Sequence, residues 1–155
     1  MKKLALLFAG LSLLVATGCK DDDPQQLFPI NGLWQPLKEV VTTVPVNGAG
    51  VSDEIAYTTC QKDSRWLFNE GSTGKRTDKD EIGNPAICST VSEKNFTYTY
   101  STSDNRIEIK YQGTVVPDKG KVTTLNESTM NLTIEDATDP NVYKSKTITF
   151  KRIPQ

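Results

Sequence analysis

Three cysteines, 19 carboxylates and no histidine make up the reactive inventory of this 155-residue chain. Without histidine there is no Ser-His-Asp triad and no His-ligated metal, and the commonest general acid–base residue is missing. No Gly-x-Ser-x-Gly elbow occurs, and nothing in the spacing singles out one carboxylate pair for glycoside chemistry. Gly74-Lys75 sits in a glycine-rich stretch, but a phosphate-binding loop requires glycine five residues before that Gly-Lys step and Ser or Thr after it. Asn69 and Arg76 stand there instead, so a hairpin turn is the better reading. Asp78, Asp80 and Glu81 supply oxygens at calcium-like spacing, yet the rest of an EF-hand loop is absent, and a solvated acidic loop is the preferred reading. No metal or other cofactor is expected.

The cysteines divide by position. Cys19 follows a basic head (Lys2, Lys3), an apolar run from Leu4 to Val15, and the small residues Ala16-Thr17-Gly18. That is the layout of a secretory signal peptide with its cleavage site, too short to span a bilayer as an ordinary helix of about 20 residues. A cysteine directly after Ala-Thr-Gly resembles the lipobox of bacterial lipoproteins, which implies acylation (palmitate-type chains) of the Cys19 thiol as the first residue of the mature chain. A plain signal peptide with an incidental cysteine is the alternative. Lys20-Asp-Asp-Asp23 is similar to the acidic export tag of some surface-exposed lipoproteins, and Pro24-Gln25-Gln26 continues a polar stretch that cannot pack. The expected organisation is a signal peptide at 1–18, an acylated N-terminus and disordered acidic tether at 19–30, and one domain at 31–155. The expected location is the bacterial cell envelope, as an outer-membrane lipoprotein on either the periplasmic or the extracellular face.

Cys60 and Cys88 remain, with 27 residues between them. An even pair in a chain that leaves the cytoplasm reads as a disulfide; two cysteines without histidine fall short of a zinc ligand set. Cleavage leaves 137 residues, enough for one core, with 16 basic against 19 acidic side chains. No basic stripe suggests nucleic acid.

The elements that must position these residues are strands. Phe96, Tyr98 and Tyr100 alternate with Thr97 and Thr99; Ile107, Ile109 and Tyr111 with Glu108 and Lys110; Met130, Leu132 and Ile134 with Asn131 and Thr133. Period two with β-branched and aromatic residues marks half-buried strands. Further strands are expected at Leu33–Thr43, Ile55–Thr59, Arg65–Phe68, Thr73–Thr77 and Tyr143–Ile153. Turns are expected at Ser101–Asn105, Pro117–Gly120, Asn126–Ser128 and Asp136–Asn141, with longer loops at Asn47–Asp53 and Lys75–Gly83. Eight or nine short antiparallel strands favour a closed barrel or a sandwich.

Gly32-Leu-Trp34 opens the first strand, and the ordered set NGLWQPLKEV, CQKDSRWLFNEGSTGKRTD, IC, FTYTYSTSDNRIEIKY, TMNLTIED and KTITFKRI resembles the lipocalin-like domain of bacterial lipoproteins. The resemblance implies an all-β, antiparallel up-and-down eight-stranded barrel of calycin type. It places Trp34 at the closed base beside Gly32, with Arg152 as the cation over its ring. It also implies non-catalytic binding of a small hydrophobic or glycan ligand. Trp66, Phe68, Tyr98, Tyr100 and Tyr111 read by residue type as core and, where the barrel keeps a cavity, as its candidate lining. The alternative is an interaction module, its interior filled and its loops meeting a protein or glycan partner. A histidine-free hydrolase is the weakest of the three readings.

Overall fold

The computed structural model describes residues 28–154; the expected signal peptide, Cys19 and most of the expected tether lie outside the described residues. Nine strands follow one another: β1 Gly32–Pro45, β2 Val51–Ala56, β3 Arg65–Phe68, β4 Thr73–Ile82, β5 Ile87–Tyr100, β6 Arg106–Tyr111, β7 Asp118–Leu125, β8 Thr129–Asp136 and β9 Val142–Ile153. All pairings are antiparallel. β9 returns alongside β1 from Leu33↔Ile153 to Pro45↔Val142, which closes the sheet on itself. β2 pairs with Lys38–Thr43 and β3 with Gly32–Trp34, so these two short strands occupy one barrel position in succession. The result is a closed eight-stranded antiparallel barrel whose second position is broken by a crossing segment, residues 57–64, with a 3-10 turn at Gln61–Asp63. Among the described residues no helix is long and apolar enough to cross a membrane.

The connectivity defines two ends. Loops 69–72, 101–105 and 126–128 lie with residues 28–31 at the base; loops 46–50, 83–86, 112–117 and 137–141 surround the other end, the mouth. Cys60 in the crossing segment is disulfide-bonded to Cys88 on β5 (Cα–Cα 5.4 Å).

Three sequence expectations are corrected. Lys75–Gly83 is not a loop: β4 continues to Ile82 and pairs with β5, which begins at Ile87, well before the alternation that starts at Phe96. Residues 87–94 of β5 pair with β4 alone, because β6 joins only from Phe96↔Tyr111. This arm is exposed on both faces, so selection for burial leaves no period-two signature on it. Asn47–Asp53 is likewise shorter as a loop, since β2 starts at Val51. Pro117–Gly120 is not a turn either; the loop ends at Pro117 and Gly120 sits inside β7. Its glycine serves strand approach: a Cβ there would lie 1.9 Å from the Thr133 carbonyl oxygen on β8. Gly120→Ala is therefore expected to lower the unfolding free energy by about 1–3 kcal/mol, the usual range for overpacking, as read by urea unfolding.

A bulge between Pro36 and Lys38 matters more for the site. Proline supplies no N–H to the ladder, and a bulge relieves that vacancy. It also changes the inward parity of β1. Trp34 and Pro36 are buried below it, whereas Glu39 and Val41 face the interior above it.

A charged cup above a solid aromatic base

The lower half of the barrel is filled. Trp34, Phe150, Met130, Leu132 and Ile109 are fully buried, with Phe68 and Ile107 close behind. Phe68 meets Phe96 and Tyr98 edge-on, with ring centroids 5.2 and 5.1 Å apart, a geometry favoured by the ring quadrupoles. At the base the Arg152 guanidinium lies 4.2 Å from the Trp34 ring, a cation–π contact of about 0.5–2 kcal/mol. It donates to the backbone carbonyls of Asn31 (2.6 Å), Pro29 (2.7 Å) and Glu127 (2.9 Å). Trp34 Nε1 donates to the Ile30 carbonyl at 2.8 Å. Gly32 is required twice over: its φ is 135°, and a Cβ would fall 2.5 Å from Arg152 Nη1.

Above this plug is a cavity of about 340 Å³. Trp66 forms its floor, and Val41, Ile134 and Ile148 supply the apolar wall. Glu39, Asp118 and Asp136 oppose Arg76, Lys144 and Lys146 around it. Arg76 stacks on Trp66 (4.5 Å to the ring), donates to Asp78 at 2.8 Å and reaches the Tyr111 hydroxyl at 3.3 Å. Burial opposes its charge, but Tyr111 and Asp78 more than offset that, and the guanidinium is held more firmly protonated than usual. Glu39 Oε2 accepts from the Tyr57 hydroxyl at 2.6 Å and pairs with Lys146 Nζ at 3.1 Å.

Burial, then the hydrogen bond and charge of Glu39, push the Tyr57 phenol far above its ordinary value. The consequence has a definite sign. An unfolded tyrosine ionises near pH 10, so the Tyr57 contribution is complete below that pH and fades as pH rises toward the higher folded value. Wild-type stability is expected to fall more steeply above about pH 10 than that of Tyr57→Phe, measured by urea unfolding across the alkaline range.

Of the five aromatics proposed as ligand lining, Trp66 alone reaches this cup directly. Phe68 and Tyr98 take the core reading and not the lining one, being buried in the aromatic plug and absent from the cavity wall; the Tyr98 hydroxyl is spent on Asn31 Oδ1, 2.8 Å away. Tyr100 lies at the basal end, its hydroxyl bonded to Asn105. Tyr111 sits one residue removed, holding Arg76, and its other surroundings form a separate groove of about 520 Å³, more open than the cup, with Lys75, Asn95 and Lys110. Glu39, Tyr57, Arg76 and Lys146 escape the sequence reading. Gly74, Arg76 and Asp78 do share one strand parity, and Pro36 marks the bulge that turns Glu39 inward. Asp78 is committed to Arg76, and among the described residues no cluster of three or more metal-ligating side chains occurs. The site offers an aromatic floor, apolar walls and fixed donors and acceptors of both charges, which is equipment for recognising a molecule.

A closed eight-stranded antiparallel barrel with a plugged base and an open, lined mouth defines the calyx class of binding folds. The model of the lipocalin-like domain family matches residues 30–132, more than half the chain, and the chain belongs to that family. Among solved structures it is similar to lobster apocrustacyanin A1 (11% identity, 81% of this chain and 61% of that one, TM-score 0.48). It is also similar to H1 crustacyanin from the lobster Homarus americanus (12%, 83% and 63%, 0.49) and to a bovine odorant binding protein variant (12%, 80% and 74%, 0.42). The chain spans about three fifths of the length of the crustacyanins it matches. No curated protein sequence matches it.

Proposed function

We propose that this protein binds, without catalysis, one small and partly apolar molecule in the cup above Trp66, and that it does so as a lipid-anchored protein of the bacterial envelope. The observation that carries the binding reading is the 340 Å³ cavity, which falls at the small end of the range for ligand sites. Its mixed lining favours a ligand with an apolar body against Trp66, Ile134 and Ile148, and polar groups directed to the mouth. Membership of the lipocalin-like family supports the same reading by analogy. The filled lower barrel meets one expectation of the interaction-module alternative, but the upper cavity is what that alternative lacks. Native mass spectrometry of protein from its own host tests binding: a retained small molecule, lost in a cup-filling Ile134→Trp variant, is the expected result. The anchor rests on the lipobox-like stretch before Cys19. Feeding labelled fatty acid to cells carrying wild type or Cys19→Ser tests it, and equal labelling of the two would exclude it.

A further inference from the structure

Every exposed large apolar side chain among the described residues lies in the mouth half of the barrel. The most exposed are Val115 (88%), Val116 (75%), Val46 (69%), Ile87 (63%) and Val51 (60%), followed by Ile82 and Tyr143. They stand at or beside four separate loop tips. The same four loops are almost free of charge: across 46–50, 83–86, 112–117 and 137–141 the single ionisable residue is Asp139, in a chain that is 24% charged. The base is the opposite, with Glu70, Asp104 and Glu127 placed one to each of its three loops. Apolar tips gathered on uncharged loops at one end, with the charged loops at the other, give the barrel an asymmetry that single scattered apolar residues would not.

We propose that the rim of the mouth is a membrane-contact surface that dips its valine and isoleucine tips into the headgroup–acyl boundary of a zwitterionic bilayer. Three observations select lipid as the occupant. A protein partner of ordinary size needs a continuous, complementary patch of about 800 Å², whereas these tips are parted by the cavity, and a fluid phase conforms to separated points. None of the four loops carries Lys or Arg, so the surface matches an uncharged hydrocarbon boundary and needs no anionic headgroup. Tyr143, half exposed at the top of β9, is an amphipathic ring of the kind that partitions to this boundary. The contact is independent of any N-terminal anchor, because the chain enters the barrel at the base, where Arg152 grips the carbonyls of Pro29 and Asn31. It would set the open cup against lipid, giving a partly apolar ligand a path that avoids water.

Amide hydrogen exchange on the full chain, with and without phosphatidylcholine vesicles, tests this. Exchange should slow in 46–50, 83–86 and 112–117 and stay unchanged in 69–72, 101–105 and 126–128. Val115→Glu with Val116→Glu touches only exposed positions, leaves the fold intact, and should cut the vesicle-bound fraction about tenfold. Unchanged exchange in the mouth loops, equal protection at both ends, or protection produced by an envelope protein and not by vesicles would each overturn the proposal.

Discussion

Trp34→Ala is expected to lower the free energy of unfolding by about 3–5 kcal/mol, the range for emptying a fully buried aromatic site. Folded domains have only about 5–15 kcal/mol in hand, so this is a change between a stable barrel and a marginal one. The estimate rests on complete burial of the ring together with two dependants. The Ile30 carbonyl loses its Nε1 donor at 2.8 Å, and Arg152 loses the ring that it covers. An unpaired buried carbonyl costs more than the lost bond is worth, since it is cut off from water as well. Trp34→Phe restores most of the apolar volume but not the donor, so it should fall between wild type and alanine. Equilibrium urea unfolding of the three proteins checks the order.

Opening the Cys60–Cys88 disulfide should cost about 3.5 kcal/mol on the chain-entropy model, given the separation of 28 residues. Its position adds a second effect. The bond ties the crossing segment between β2 and β3 to the projecting β4–β5 arm, and that segment begins at Tyr57, in the cup wall, and leads into Trp66 at the cup floor. Remaining ties are weaker: Lys79 N–H to Ser64 Oγ at 2.9 Å and Gln61 Nε2 to Asp80 at 3.3 Å. The double variant Cys60→Ala, Cys88→Ala is therefore expected to keep the barrel, lose stability by that amount in urea unfolding, and bind ligand more weakly than wild type.

Both of these sites can be read from the sequence, on different grounds. Trp34, Arg152 and both cysteines are legible, the first pair because Gly-x-Trp and the late basic residue match a family pattern, the second because an even cysteine pair follows a signal-peptide-like start. Strands β3, β6 and β8 are legible because each buries one face, so the alternation of Ile107, Ile109 and Tyr111 against charged neighbours is imposed by the core. β2 leaves no such mark, being exposed on both faces, and neither does the upper arm of β4 and β5, in which no residue is fully buried. Gly120 misleads because the same residue serves a tight turn and a close strand crossing.

The cup is harder to read, for a geometric reason. Period two tells which face of a strand points inward but not at what height, and height separates Phe68, in the plug, from Trp66, at the floor of the cavity. A bulge then exchanges inward and outward residues within β1, so that Glu39, charged and in a strand otherwise read as core, becomes part of the wall. Arg76 looks like a loop cation beside Gly74-Lys75 until β4 is seen to run through it. Charged residues lining an interior are the feature that hydrophobic patterning is least able to show.

The central claim is that a ligand occupies the upper cup and nothing below it. Titration with the neutral fluorophore N-phenyl-1-naphthylamine, with cup-filling and base variants run side by side, addresses it most directly. Wild type and Trp34→Phe should each take up one equivalent with energy transfer from Trp66, while Ile134→Trp should take up none. Undiminished uptake by Ile134→Trp would place the ligand elsewhere on the molecule, and no uptake by any of the three would leave the cup without an apolar guest.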